Sequence, residues 1–331
     1  MKRLLFVIPS ILLVFLACNE TVEQVLPPKA FVDVTIQGLP RLQLGEGRYE
    51  LWANFFELNK RTAGAAVLHS EISFIAVFNI SQDGKTIVSL TGQPIEFEIP
   101  EGKNPQLLDE AFVVLRRDGE TGGPPEEDVP PGSVIMAGAF SGNEALTSSD
   151  LSFSFGKAFG TSFSEVKGAY SIQTPTSAAQ ADSLSGIWFY RQDIQGPSLQ
   201  FFPTLPEGWV YEGWVVYDSA GVEAKYSTGK FARVDSADFD GAGPGRGPLP
   251  GLNVPGQDFI VGNPSQVNLT SSPYSFVITL EPWPDNSPKP SSMILLSSQP
   301  IAIVDLPTLR DGELINWSLR TQPRASIRIL R

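Results

Sequence analysis

Oxygen-bearing side chains alternate along Asp235-Ser236-Ala237-Asp238-Phe239-Asp240-Gly241. Carboxylates at this spacing ahead of a glycine can converge on a hard divalent cation. Asp235, Asp238 and Asp240 are therefore expected to bind calcium and to stiffen the Gly- and Pro-rich stretch 242–251. The helical flanks of an EF-hand are missing, and Gly247 stands where a bidentate Glu would be needed. A bare acidic turn is the competing reading.

Other chemistry is thinly provided. His69 is the sole histidine, so a Ser-His-Asp relay would have to use it. It sits in Ala65-Ala66-Val67-Leu68-His69-Ser70, with no Gly-x-Ser-x-Gly nucleophile turn nearby. One His and one Cys leave too few nitrogen and sulfur ligands for a typical zinc site. Carboxylate pairs of the kind that hydrolyse glycosides arise by chance among 36 acidic residues, and none stands out. The expectation is a protein that is not an enzyme.

The single cysteine, Cys18, has a more specific setting. Lys2 and Arg3 precede an apolar run from Leu4 to Leu16, broken by Pro9 and Ser10, and Ala17-Cys18-Asn19-Glu20 follow. A small residue after a short apolar run marks a secretory signal rather than a membrane span. A helix over residues 4–16 would reach only about 20 Å, against a hydrocarbon core of roughly 30 Å. The segment resembles a bacterial lipoprotein signal, with Phe15 where that pattern usually has Leu. The resemblance implies cleavage after residues 1–17 and acylation of Cys18, with 18–30 as a lipid-anchored tether. Acyl chains contribute about 0.8 kcal/mol per buried CH₂, so several on one residue anchor firmly. The expected location is the bacterial cell envelope, outside the cytoplasm. A secreted protein with an incidental buried cysteine is the alternative.

These groups need a scaffold, and composition indicates its class. Without residues 1–17 the chain carries 22 basic and 36 acidic side chains, a formal charge of −14. Such a surface repels phosphate backbones and anionic lipid, which argues against nucleic-acid binding and makes a covalent membrane anchor necessary. With one cysteine no internal disulfide can form. Thirty glycines and 28 prolines punctuate short β-rich runs such as Phe31-Val32-Asp33-Val34-Thr35-Ile36 and Ser275-Phe276-Val277-Ile278-Thr279-Leu280. Short strands between turn clusters predict an all-β chain of sandwich or barrel type.

The chain also matches itself. Leu39-Pro40 followed by Gly47-Arg48-Tyr49-Glu50-Leu51-Trp52 corresponds to Leu205-Pro206 followed by Gly208-Trp209-Val210-Tyr211-Glu212-Gly213-Trp214. Further pairs keep the same order: Phe78 with Phe231, Asp83-Gly84 with Asp240-Gly241, and Gly92-Gln93 with Gly256-Gln257. Phe112 to Leu115 pairs with Phe276 to Leu280, and Ser133 to Met136 with Ser292 to Leu295. The expectation is an internal duplication giving two tandem antiparallel β-sandwich domains. These are 31–143 and 204–331, joined by a connector, 144–203, with at least one strand at Gly186-Ile187-Trp188-Phe189-Tyr190. The paired Tyr and Trp are expected on a common strand face as core anchors, with Glu50 and Glu212 facing the other way. An aromatic platform for sugars is the alternative.

The second copy reads Tyr211-Glu212-Gly213-Trp214, Thr228-Gly229-Lys230-Phe231, and Phe276-Val277-Ile278-Thr279-Leu280-Glu281-Pro282. The turn Ser287-Pro288-Lys289-Pro290 and Met293-Ile294-Leu295-Leu296 follow. This order resembles the extracytoplasmic C-terminal domain of anti-sigma-K factors. The first copy is more diverged, with Arg116-Arg117-Asp118 in place of Glu-Pro. The resemblance implies the fold and a sensing or protein-binding role toward an unidentified envelope protein. It does not extend to the sigma-holding helical domain of that family. A carbohydrate-binding envelope module is the alternative function.

Overall fold

The computed structural model describes residues 29–58, 68–117, 133–140, 150–154, 159–179, 184–219, 222–259, 267–270, 273–285, 287–298 and 311–330. The expected signal peptide and Cys18 lie outside these residues.

Period-two patterning forms the strands. β1 (Phe31–Gln37) buries Val32 and Ile36 and turns Asp33 and Thr35 to solvent. It is followed by β2 (Arg48–Leu58), β3 (Leu68–Ile80), β4 (Ile87–Val88) and β5 (Phe97–Glu98). β6 (Leu108–Arg116), β7 (Ser133–Ala139) and β8 (Asp150–Ser154) complete the first half. The second half holds β9 (Gly168–Ile172), β10 (Ile187–Trp188), β11 (Tyr190–Arg191), β12 (Gly196–Pro197) and β13 (Trp209–Ser219). Then come β14 (Val222–Phe231), β15 (Gly256–Gln257), β16 (Tyr274–Pro282), β17 (Ile294–Ser297), β18 (Asp311–Asn316) and β19 (Arg324–Leu330).

The chain is nearly all β, and its long strands fall into two antiparallel sheets. The first runs β4-β3-β2-β6-β7-β8-β19-β1-β5, and the second β14-β13-β16-β17-β18-β9-β10-β15. The first sheet curls almost to a closed barrel. Phe78 on β3 and Phe97 on β5, near its opposite ends, meet edge to face at 6.0 Å. We call the sheets, with their loops, the first and second lobe. Beyond β4, the two orders match strand for strand.

The registers match as well. Tyr49 on β2 lies opposite Phe78 and Leu115, and Tyr211 on β13 lies opposite Phe231 and Leu280. β-Bulges recur at equivalent points: Leu51/Trp52 and Glu212/Trp214 on one pair, Val113/Val114 and Ile278/Thr279 on the other. A bulge inserts a residue and re-aims the side chains beyond it, so its recurrence preserves the facing of both strands.

Strand membership crosses the boundaries expected at 31–143 and 204–331. β8 and β9 both lie within 144–203, and they join different sheets. β19, the last strand, belongs to the first lobe, where it pairs β1 and β8. Val32, Val34 and Ile36 stand opposite Ile329, Ile327 and Ala325, so apolar side chains meet along the joint. Buried apolar residues of both lobes form one contiguous cluster, from Val32 and Tyr49 to Tyr211 and Ile327. The expected strand at 186–190 is present but interrupted at the buried Phe189.

Tyr and Trp do not share a face. Three positions apart, they point to opposite sides of the strand. Tyr49 enters the main core, whereas Trp52 packs with Ile72, Phe112, Val114 and Ala137 on the other side, next to Glu50.

Candidate functional site

The site grows from the paired tyrosines. The Tyr49 hydroxyl donates to the Pro40 carbonyl at 2.9 Å, and the Tyr211 hydroxyl to the Pro203 carbonyl at 2.7 Å. Their rings lie 5.5 Å from Phe78 and 5.6 Å from Phe231, at interplanar angles of 30° and 31°. Both anchors fix the next residue, Glu50 or Glu212, on the reverse side of the strand, and both glutamates are buried.

In the first lobe Glu50 is fully answered. Arg48 Nε and Arg116 Nε each lie 2.9 Å from its Oε1, and Trp52 Nε1 donates to Oε2 at 3.0 Å. In the second lobe Val210 occupies the place of Arg48, and Glu281 that of Arg116. Glu212 therefore faces carboxylates. Oxygens of Glu212, Glu281 and Asp285 lie within 4.8 Å of one another, the sole such group of three His, Cys, Asp or Glu side chains among the described residues.

Lys230, opposite Glu212 on β14, supplies one countercharge. Its Nζ lies 2.9 Å from Glu212 Oε1 and 3.3 Å from Asp285 Oδ2. Ser227 Oγ also donates to Glu212 Oε1, at 2.5 Å. Glu281 Oε1 accepts from the Ser291 backbone at 2.8 Å and from the Thr279 hydroxyl. Trp214 Nε1 donates to Thr279 Oγ1 at 3.0 Å. Asp285 Oδ1 accepts from the Ser287 backbone at 2.8 Å. Glu212 Oε2 is buried and accepts no hydrogen bond, whereas the buried Asp285 Oδ2 is met by Lys230 Nζ.

This crowding raises proton affinity. Burial pushes the Glu212 carboxyl up to about 7, against the pull of Ser227 and Lys230. Burial also drives Glu281 well above the usual carboxylate range, and the charges of Asp285 and Glu212 add to the rise. For Lys230 burial acts downward, but Glu212 and Asp285 outweigh it and raise its affinity. Glu281 and Asp285 line a cleft of about 340 Å³ between the lobes, with Arg41, Glu46, Asp83 and Lys289 around it. The Ser292 hydroxyl crosses this seam to the Gly38 carbonyl at 2.9 Å. The acids converge on one another, whereas glycoside hydrolysis needs carboxyls roughly 5–9.5 Å apart across a sugar.

The sequence-predicted calcium ligands lie elsewhere, where Asp238 and Asp240 adjoin but the three do not converge as one group. Asp235 is exposed and held by Arg233 through two contacts of 3.0 Å. Asp240 is exposed, while Asp238 is buried. Asp238 Oδ2 accepts from the Gly256 backbone on β15 at 3.0 Å and lies against Gly229 on β14. Gly229 has φ of +106°, and a Cβ there would fall 2.4 Å from this oxygen. Asp238 thus ties together the two end strands of the second sheet. Its carboxyl is pushed up to about 8, chiefly by burial, with the Gly256 hydrogen bond pulling back and Asp240 adding to the rise. The stretch 242–251 is pinned, since Gly247 N donates to Thr176 Oγ1 at 2.7 Å and Leu249 N to the Thr176 carbonyl at 3.0 Å.

His69 lies on β3 opposite Glu57. Trp52, Trp209 and Trp214 are all buried, which removes the main support for a sugar platform. Glu281 and Asp285 were not singled out from sequence. The signal was present in the self-match, where Arg116 aligns with Glu281 beside an identical Tyr-Glu pair.

Comparison with known proteins finds no match to this chain, whether among protein families, curated proteins or solved structures.

Proposed function

We propose that this chain is a non-enzymatic cell-envelope lipoprotein, anchored through Cys18, whose two duplicated lobes bind or sense an envelope protein outside the cytoplasm. The observation that carries the binding role is an exposed aromatic pair at the cleft end of the second lobe. Phe239 and Trp283 stand edge to face at 5.2 Å, 56% and 37% exposed. Their backbones are fixed by Phe239 N donating to the Lys230 carbonyl and Trp283 N to the Gly208 carbonyl, both at 2.8 Å. Rigid exposed aromatics are characteristic anchors of protein interfaces. An edge-to-face pair offers no flat platform for a sugar ring, so the carbohydrate reading is not favoured.

Duplication is supported by matching strand order, matching bulges and the repeated Tyr-to-Pro anchor. The motif residues of the anti-sigma-K resemblance fall on β13, β14, β16, the turn after it and β17, which supports a related fold and a sensing or protein-binding role.

Two measurements test the proposal. Cys18→Ser should move the protein from the membrane to the soluble envelope fraction, and unchanged partition would refute the anchor. A photo-crosslinker at Phe239 should capture one defined envelope protein, with capture lost on Trp283→Ala. Capture indifferent to Trp283, or none from intact envelopes, would refute the binding surface.

A further inference from the structure

We infer that Glu212, Glu281 and Asp285 form a binding site for a hard divalent cation, calcium by preference, at the seam between the lobes. This does not depend on the partner proposed above, and it is distinct from the stretch around Asp235.

The two lobes part ways at this position. At the same strand positions, the first lobe sets Glu50 against two guanidiniums at 2.9 Å. The second lobe keeps the buried glutamate and the same anchor beneath it, but replaces Arg48 by Val210 and Arg116 by Glu281. Fully ionised, as cation binding requires, the three carboxyls and one ammonium would carry a formal −2 among buried strands. Burying uncompensated charge is expensive, and a divalent cation would cancel this one.

Geometry fits such an ion. Glu212 is wholly buried, and its Oε2 has no hydrogen-bond partner while Oε1 is already occupied by Ser227 and Lys230. The Asp285 side chain is 1% exposed, and its Oδ2 is met by the Lys230 ammonium at 3.3 Å. Three oxygens within 4.8 Å of one another share a point no more than roughly 2.8 Å from each. Calcium bonds to oxygen at about 2.3–2.6 Å, so a contraction of a few tenths of an ångström completes the contact. An all-oxygen set without His or Cys selects hard cations. Calcium tolerates irregular coordination, whereas magnesium demands a near-octahedral shell. The cleft lined by Glu281 and Asp285 provides access and room for water ligands.

The test uses the full chain purified in detergent at pH 8, with terbium as the optical probe and calcium as competitor. Trp214, hydrogen-bonded to Thr279 beside the carboxylates, should sensitise terbium emission, and calcium should displace it with a dissociation constant of about 10⁻⁴–10⁻³ M, as in extracellular modules. Millimolar calcium should raise the thermal midpoint by about 2 °C or more over chelator. Glu281→Gln and Glu212→Gln should each weaken calcium at least tenfold, while Asp235→Asn with Asp240→Asn leaves it unchanged. No sensitised emission together with no thermal shift in the unmodified chain would overturn the site, as would calcium binding that survives both Gln variants. Because the unmodified chain is measured first, misfolding of a variant cannot hide failure.

Discussion

Arg116 and Glu281 occupy the same place in the two lobes, each one residue beyond the leucine that faces the buried tyrosine, and they carry opposite charges. One repeated framework therefore supports two electrostatic solutions. Arg116 closes a saturated ion pair on Glu50, whereas Glu281 adds a second acid to Glu212.

Removing the first solution should be costly. Arg116→Met leaves Glu50 buried with only Arg48 as a cation, and breaking a buried pair costs about 3–5 kcal/mol. The loss should lie near 3 kcal/mol because Arg48 remains. Urea unfolding of the variant against the parent measures it, and Trp52, which donates to Glu50, reports the same region by fluorescence.

Transplanting that solution should stabilise. Glu281→Arg puts a guanidinium between Glu212 and Asp285 and should raise the calcium-free denaturation midpoint by on the order of 1–2 kcal/mol equivalent. The same change should abolish the calcium-dependent thermal shift. A variant less stable than its parent in chelator would contradict the account of Glu281.

Stability should fall with rising pH through Asp238. Its folded carboxyl holds a proton up to about 8, whereas the unfolded group releases one near its ordinary value of 3.8. Between these values the folded state binds more protons, so its stability declines as pH rises, on the order of 1–3 kcal/mol in total. Asp238→Asn keeps an acceptor for Gly256 without the charge. It should match the parent near pH 4 and exceed it near pH 8, read as urea midpoints in chelator.

The tyrosine anchors should be equal and independent. Tyr49→Phe and Tyr211→Phe each leave one proline carbonyl without its donor, which costs about 1 kcal/mol apiece. The double variant should lose the sum within about 0.5 kcal/mol, because the hydroxyls serve separate lobes.

Damage to β19 should appear first at the opposite end of the sequence. Ile327 is 1% exposed and faces Val34. Ile327→Ala should cost about 2–4 kcal/mol, and hydrogen exchange should show β1 and β8 losing protection before β13 and β16 do.

The β class and the Tyr-Glu repeat were legible because local pattern encodes them. Tyr49 and Tyr211 do face the phenylalanines that the self-match paired with them. Facing was misread for Trp52, because an odd separation reverses the side of a strand. The partner of β1 was illegible, since turn chemistry carries no information about a strand almost 300 residues away. The carboxylate group draws on two strands and a turn, so no single window shows it. In the Asp235 stretch the spacing suits a cation, while in the fold Arg233 holds Asp235 and Asp238 bridges β14 and β15, contacts that local spacing does not show.

The return of β19 to β1 also sets an order of assembly. All strands of the second lobe lie between residues 168 and 316, so it can close as soon as that segment is available. The first lobe begins earlier in the chain yet must wait for residues 324–330, leaving open the edges of β1 and β8 that β19 fills. A chain that emerges N-terminus first thus completes its later half before its earlier one. During that interval the waiting strands are the part most in need of a chaperone.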